Sequence, residues 1–200
     1  MLEAYHTKGR REAGVDEAGR GCIAGPVFAA AVVLPADFYH PMLNDSKKLS
    51  PAKRTRMREL IEKEAIAFGV ARVGEEEIDR INILYASFLA MHRALDKLAP
   101  LPGHLLIDGN RFQPYRDIAH TCIVKGDCRF SSIAAASVLA KTYRDEYMEM
   151  LHLQHPEYGW DRNRGYPTTA HRDAVLRYGP SPFHRRSFRL TNAQTRLTFS

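Results

Sequence analysis

Two hundred residues, 44% of them apolar, suffice for the core of one ordinary domain and exclude disorder as the main state. The formal charge of +6 is unevenly spread: residues 1–160 hold 21 basic and 21 acidic side chains and residues 161–200 hold 8 and 2, so a neutral body ends in a basic region suited to a polyanionic partner. The N-terminus lacks the apolar stretch of a secretory signal, and the longest apolar run, Cys22 to Leu34, is broken by Gly25-Pro26 and too short to span a bilayer, which points to a cytoplasmic protein with no membrane partner.

Short β-like runs alternate with longer helical patterns, as in an α/β domain. The first run ends at Gly14-Val15-Asp16, and the second is Val27 to Leu34 between Pro26 and Pro35. Ser50-Pro51 reads as N-cap and first residue of a helix carrying Met57, Leu60, Ile61 and Glu64. Ala65 to Val73 reads as a strand, and Leu84, Phe88, Met91, Leu95 and Leu98 form one stripe on a helix that stops before Pro100. Leu105 to Ile107 and Thr121 to Val124 have the character of buried strands. An alanine-rich helix follows from Ser131 to about Leu153. Thr168 or Thr169 then caps a last helix, which ends at Tyr178-Gly179-Pro180. A single domain over 1–200 is expected, with a catalytic core at about 11–160 and a basic substrate-holding region at about 161–200.

Three of the apolar runs end beside both a carboxylate and a glycine: Gly14-Val15-Asp16-Glu17, Ile107-Asp108-Gly109 and Ile123-Val124-Lys125-Gly126-Asp127. Strand ends of α/β sheets gather side chains from distant parts of a chain at one point. Carboxylates about 4 Å apart repel by about 4 kcal/mol per pair at an effective dielectric of 20, so a cluster needs protons or cations. Hard oxygen ligands select Mg²⁺ or Mn²⁺, and two such ions form a clamp for phosphoryl displacement. Neighbours on a regular strand face opposite ways, so joint use of Asp16 and Glu17 requires the chain to leave strand geometry there. The three cysteines make neither an even disulfide set nor a CxxC pair, and His152 and His155 are the only close histidine pair, without a third ligand nearby. Gly19, Gly21 and Gly25 are spaced GxGxxxG and lead into Pro26 and a β-like run, which disfavours a dinucleotide loop and favours a hairpin turn whose backbone faces nucleic acid.

Taken in order, Asp16-Glu17-Ala18-Gly19-Arg20-Gly21, Asp45-Ser46-Lys47-Lys48-Leu49, Ile107-Asp108-Gly109-Asn110, Lys125-Gly126-Asp127 with Ser132 to Ser137, and Tyr178 to Pro182 with His184-Arg185 and Ser187-Phe188 resemble bacterial ribonuclease HII. The resemblance runs from about Arg11 to Phe188. It implies a ribonuclease H-like fold with a central mixed sheet flanked by helices. It also implies an endonuclease that cuts the RNA strand of RNA–DNA hybrids and duplex DNA 5′ of embedded ribonucleotides, leaving 3′-hydroxyl and 5′-phosphate ends, in ribonucleotide excision repair and primer removal. On the same ground Asp16, Glu17, Asp108 and Asp127 hold two Mn²⁺ or Mg²⁺ ions. Gly19, Arg20 and Gly21 read the ribose 2′-hydroxyl, and Tyr166 stacks under the next sugar. A 2′-hydroxyl is the one handle that tells RNA from DNA at a single position. Pro167 stands where many relatives have glycine and is expected to stiffen the turn after Tyr166. Only fifteen residues precede Asp16, too few for the N-terminal domain of ribonuclease HIII.

Lys47, Lys48, Arg162, Arg164, Arg185, Arg186 and Arg189 are candidate phosphate contacts. The terminal Gln194 to Phe199 segment has the spacing QxxLxF, which resembles short peptides that dock on sliding clamps. A monomer is expected. Two competing readings are a nucleic-acid-binding module without turnover and a nucleotide-cofactor oxidoreductase.

Overall fold

Five strands, β1 (Glu12–Ala18), β2 (Val27–Val33), β3 (Ala67–Val73), β4 (His104–Asp108) and β5 (His120–Ile123), form one mixed sheet in the computed structural model, which describes residues 2–43 and 49–190. Their spatial order is β3-β2-β1-β4-β5, with the first three antiparallel and β4 and β5 running parallel to β1. The uniformly apolar β2 is buried along its whole length, and the alternating Ala13 and Val15 of β1 pack into the core on one face of the sheet. β5 stops before Val124, which is exposed, and Lys125 takes a left-handed φ of 56°.

Helices cover both faces. On one lies α2 (Glu75–Leu95), whose Phe88, Met91 and Leu95 pack on Val15, Ala29 and Ile107. The sequence stripe marks only its second half: the helix breaks at Asn82 (φ 64°), whose Oδ1 accepts from the N–H groups of Leu84 and Tyr85 and so caps the segment that follows. On the other face lie α1 (Pro51–Glu64), capped by Ser50 as its sequence predicts, and α3 (Ser131–Gln154). Gly14 lets α3 approach. A Cβ built there would lie 2.1 Å from the backbone carbon of Ser132, so only a hydrogen fits between β1 and the start of the helix.

After α3 the chain folds α4 (Trp160–Asn163) and α5 (Thr169–Tyr178), and Thr168 accepts from His171 N–H as the N-cap of the latter. Trp160, Tyr158, Met148 and Val175 form a separate small core with Ile23 and Ala24 from the β1–β2 connection. Among the described residues no helix is long and apolar enough to cross a membrane. Lys47 and Lys48 and the segment at 194–199 lie outside the described residues.

Candidate active site

The parallel register sets Val15 of β1 against Ile107 of β4, so Asp16 and Asp108 come next on neighbouring strands and face α3 together. Glu17 follows Asp16 without any break: β1 stays paired with β2 through Ala18. The expected departure from strand geometry does not occur, and the two carboxylates point to opposite faces. They still serve one place, because both sit near the end of the sheet where Glu17 and Asp108 line a cavity of about 290 Å³ with Arg20, Ser87, Asn110 and Arg111.

Asp127 departs from the strand-end reading. It lies buried beyond β5 in a 3-10 turn, Gly126–Cys128, that leads into α3. The turn is tied to the other acids because Asp108 Oδ1 accepts from Gly126 N–H at 2.7 Å. Burial is the main cause that holds Asp16 well above the usual carboxylate range, followed by Glu17 and then Asp108, while a hydrogen bond from Ser137 acts the other way. Burial likewise pushes Glu17 up, opposed by Arg20, whose Nη1 is 3.1 Å from Oε1, and reinforced by Asp108. Three mutually repelling carboxylates are thus held together by the fold against their own electrostatics.

All four side chains offer hard oxygen donors, and their charge excess matches divalent magnesium or manganese rather than zinc. Among the described residues no three acids, histidines or cysteines are drawn tightly enough to form a finished ion site. One oxygen each of Asp16, Glu17 and Asp108 is engaged by Glu17 N–H, Arg20 and Gly126 N–H respectively. The donor set therefore fits a divalent ion in composition, and rotation of these side chains is what would close it.

A second cavity of about 270 Å³ adjoins the first and shares Glu17 and Arg20 with it; Gly19, Gly21, Lys141 and Tyr166 are among the residues of its wall. The predicted glycine segment and the predicted tyrosine, almost 150 residues apart in sequence, thus face one space. Gly19 has φ +97°, and a Cβ there would meet Arg144 Nε at 2.1 Å, so both its conformation and its surroundings require glycine. Thr168 N–H donates to Tyr166 O across Pro167, a three-residue turn that suits the fixed φ of proline. Ser137, which the sequence offers only as part of a motif and without a role, and Lys141, which the sequence does not single out, lie one helical turn apart on α3; their i, i+4 spacing after the alanine run is the signal that places them on one face.

Several predicted phosphate contacts are otherwise engaged. Arg185 is fully buried and donates to the carbonyls of Gly19, Arg20 and Gly25, and its burial lowers its pKa to about 10. Arg164 pairs with Glu149 at 2.6 Å. Arg162 is exposed, as a phosphate contact requires.

A family model described as Ribonuclease HII matches residues 13–191. The chain is 60% identical over 199 residues to a ribonuclease HII of Parabacteroides distasonis, covering the whole of both chains. Its fold matches the crystal structure of the ribonuclease H2 from Pyrococcus horikoshii with a TM-score of 0.75 and 26% identity, over 90% of this chain and 94% of that one. It also matches an RNase HII solved in complex with PCNA, from Archaeoglobus fulgidus, with a TM-score of 0.69 and 25% identity, over 87% and 91%.

Proposed function

The chain belongs to the ribonuclease HII family and is a metal-dependent endoribonuclease, and from that premise we propose that it cuts the RNA strand of RNA–DNA hybrids and duplex DNA on the 5′ side of embedded ribonucleotides. The observation that carries this reading is the junction of two cavities: the acidic one and the one walled by Gly19, Gly21 and Tyr166 share Glu17 and Arg20. A nucleotide whose ribose lies in the second cavity has its phosphate at the first. Glycines 19 and 21 let the backbone approach a 2′-hydroxyl, and the half-exposed ring of Tyr166 offers a flat surface for the next sugar.

Asp16, Glu17, Asp108 and Asp127 would hold the divalent ions. Two such ions, when bound, supply an activated water and charge neutralisation at the leaving oxygen. Arg20 offsets part of the charge of Glu17, and Ser137 donates to Asp16. Attack on the phosphorus 5′ of the ribonucleotide, with release of the 3′ oxygen of the preceding nucleotide, leaves a 3′-hydroxyl on that nucleotide and a 5′-phosphate on the ribonucleotide, which suits ribonucleotide excision and primer removal.

A duplex with one ribonucleotide, a continuous hybrid and an all-DNA duplex, each assayed with Mg²⁺ and with Mn²⁺, test the reading. Cleavage of the first two and not the third, lost in excess EDTA, is expected; undiminished cleavage in EDTA, or none of the ribonucleotide-containing duplex, would overturn it. The relative from Archaeoglobus fulgidus was solved with PCNA, which supports clamp docking by the Gln194 to Phe199 segment of this chain. Deletion of residues 194–200 should abolish retention on the cognate sliding clamp, and undiminished retention excludes that role.

A further inference from the structure

Two buried side chains, adjacent in sequence, reach the two halves of the cavity that faces Tyr166. Arg185 turns its guanidinium onto the β1–β2 connection: Nη2 donates to Gly19 O and Gly25 O, Nη1 to Arg20 O, and Nε to Gly25 O, all within 3.0 Å. A planar peptide carries its C=O and the following N–H on opposite sides. Carbonyls 19 and 20 drawn inward onto the guanidinium therefore turn the N–H groups of Arg20 and Gly21 away from it, toward the side where this segment walls the cavity.

His184 reaches the other half. The tautomers follow from the partners, because Trp160 Nε1–H can only donate and Tyr166 O can only accept. His171 Nε2 accepts from Trp160 at 3.0 Å, so its proton is on Nδ1 and is donated to Tyr166 O at 2.9 Å. Ser181 N–H donates to His184 Nδ1 at 2.9 Å, which leaves the His184 proton on Nε2, 3.1 Å from His171 Nε2, where it shares that nitrogen's one lone pair with Trp160. The relay from His184 through His171 fixes the backbone of Tyr166. The turn that carries both residues is itself clamped. Arg185 N–H donates to Ile23 O, Gly25 N–H donates to Phe183 O, and Asp79 of α2 accepts from the N–H groups of Arg186 and Ser187.

We propose that His184 and Arg185 are positioning residues that preset the two halves of the ribose-reading cavity, Arg185 the Gly19–Gly21 backbone and His184 the tyrosine. This rests on the reading of that cavity given above. Rigid placement of recognition groups matters most when a substrate offers a single handle. One embedded ribonucleotide presents one 2′-hydroxyl, whereas a continuous hybrid presents one at every step and tolerates a misaligned reader.

The test is the ratio of kcat/KM for a single-ribonucleotide duplex to that for a continuous hybrid, measured with folded fractions matched by thermal melts. Arg185→Lys, whose one ammonium cannot span three carbonyls, and His184→Ala should each lower the ratio about tenfold. His184→Gln, whose amide N–H can take the place of Nε2–H, should restore part of it. A purely structural role would lower both substrates together, and an unchanged ratio in Arg185→Lys and His184→Ala overturns the proposal. If the wild-type protein cuts neither substrate, the underlying reading of the cavity fails instead.

Discussion

Asp108→Asn should reduce cleavage of a duplex carrying one ribonucleotide by at least about 10³-fold while leaving its binding affinity and far-UV circular dichroism unchanged. The substitution is nearly isosteric, and the amide oxygen can still accept from Gly126 N–H, so the turn carrying Asp127 keeps its anchor. What disappears is a charge at the end of β4 next to Asp16 and Glu17. The same loss has a second, opposite consequence. Burial and their neighbours raise both remaining acids in the folded state, so the native protein binds more protons there than the unfolded chain, and its stability falls as pH rises above the usual carboxylate range. Asp108→Asn removes one source of that repulsion and should melt at the same temperature or a few degrees higher at neutral pH. Activity within tenfold of wild type would exclude Asp108 from the reaction; a much lower melting temperature would mean that the carboxylate is structural.

Gly14→Ala should destabilise the fold by about 3 kcal/mol or more, a fall in Tm of roughly 6–12 °C for a chain of this length. Gly14 lies in ordinary strand conformation, so backbone freedom is not at issue. A methyl group at that position would sit 2.1 Å from Ser132 C, 2.2 Å from Ile133 N and 2.4 Å from Ser132 O, all backbone atoms of the helix start, and none can rotate aside. The helix must move off the sheet, and with it Ser137, which bonds Asp16, and Lys141 in the adjoining cavity. Activity should therefore fall further than the folded fraction. An unchanged Tm, read by thermal melting in parallel with the wild type, would show that α3 is not seated against β1.

The strands were legible because burial wrote them as short apolar runs between prolines and glycines, and β2 with its alanines and valines is the clearest case. Asp108 was legible as a strand end, and Asp16 as the carboxylate beside a buried apolar run, although β1 continues through Ala18. The route of Asp127 was not: Lys125 in the left-handed region turns the chain into a 3-10 segment, and no side-chain pattern announces it. The first half of α2 was hidden because its acidic residues, Glu75 to Glu77, show no apolar period, and the break at Asn82 separates them from the stripe. Arg185 was misread as a phosphate contact for a deeper reason. Composition reports that an arginine is present and basic, but not that carbonyls from the other end of the chain surround it. The resemblance to ribonuclease HII placed Tyr166 beside the glycine segment, which local sequence alone could not do.

The contact between Arg185 and Gly19 spans 166 residues, one of the longest separations in the molecule. Closing a loop of that length is entropically unfavourable and belongs late in folding. The strands bearing Asp16 and Asp108 can pair once β4 has emerged from the ribosome, long before the turn at 184–185 is made. On a chain that folds from its N-terminus, the pairing of β1 with β4 thus precedes the contact of Arg185 with Gly19.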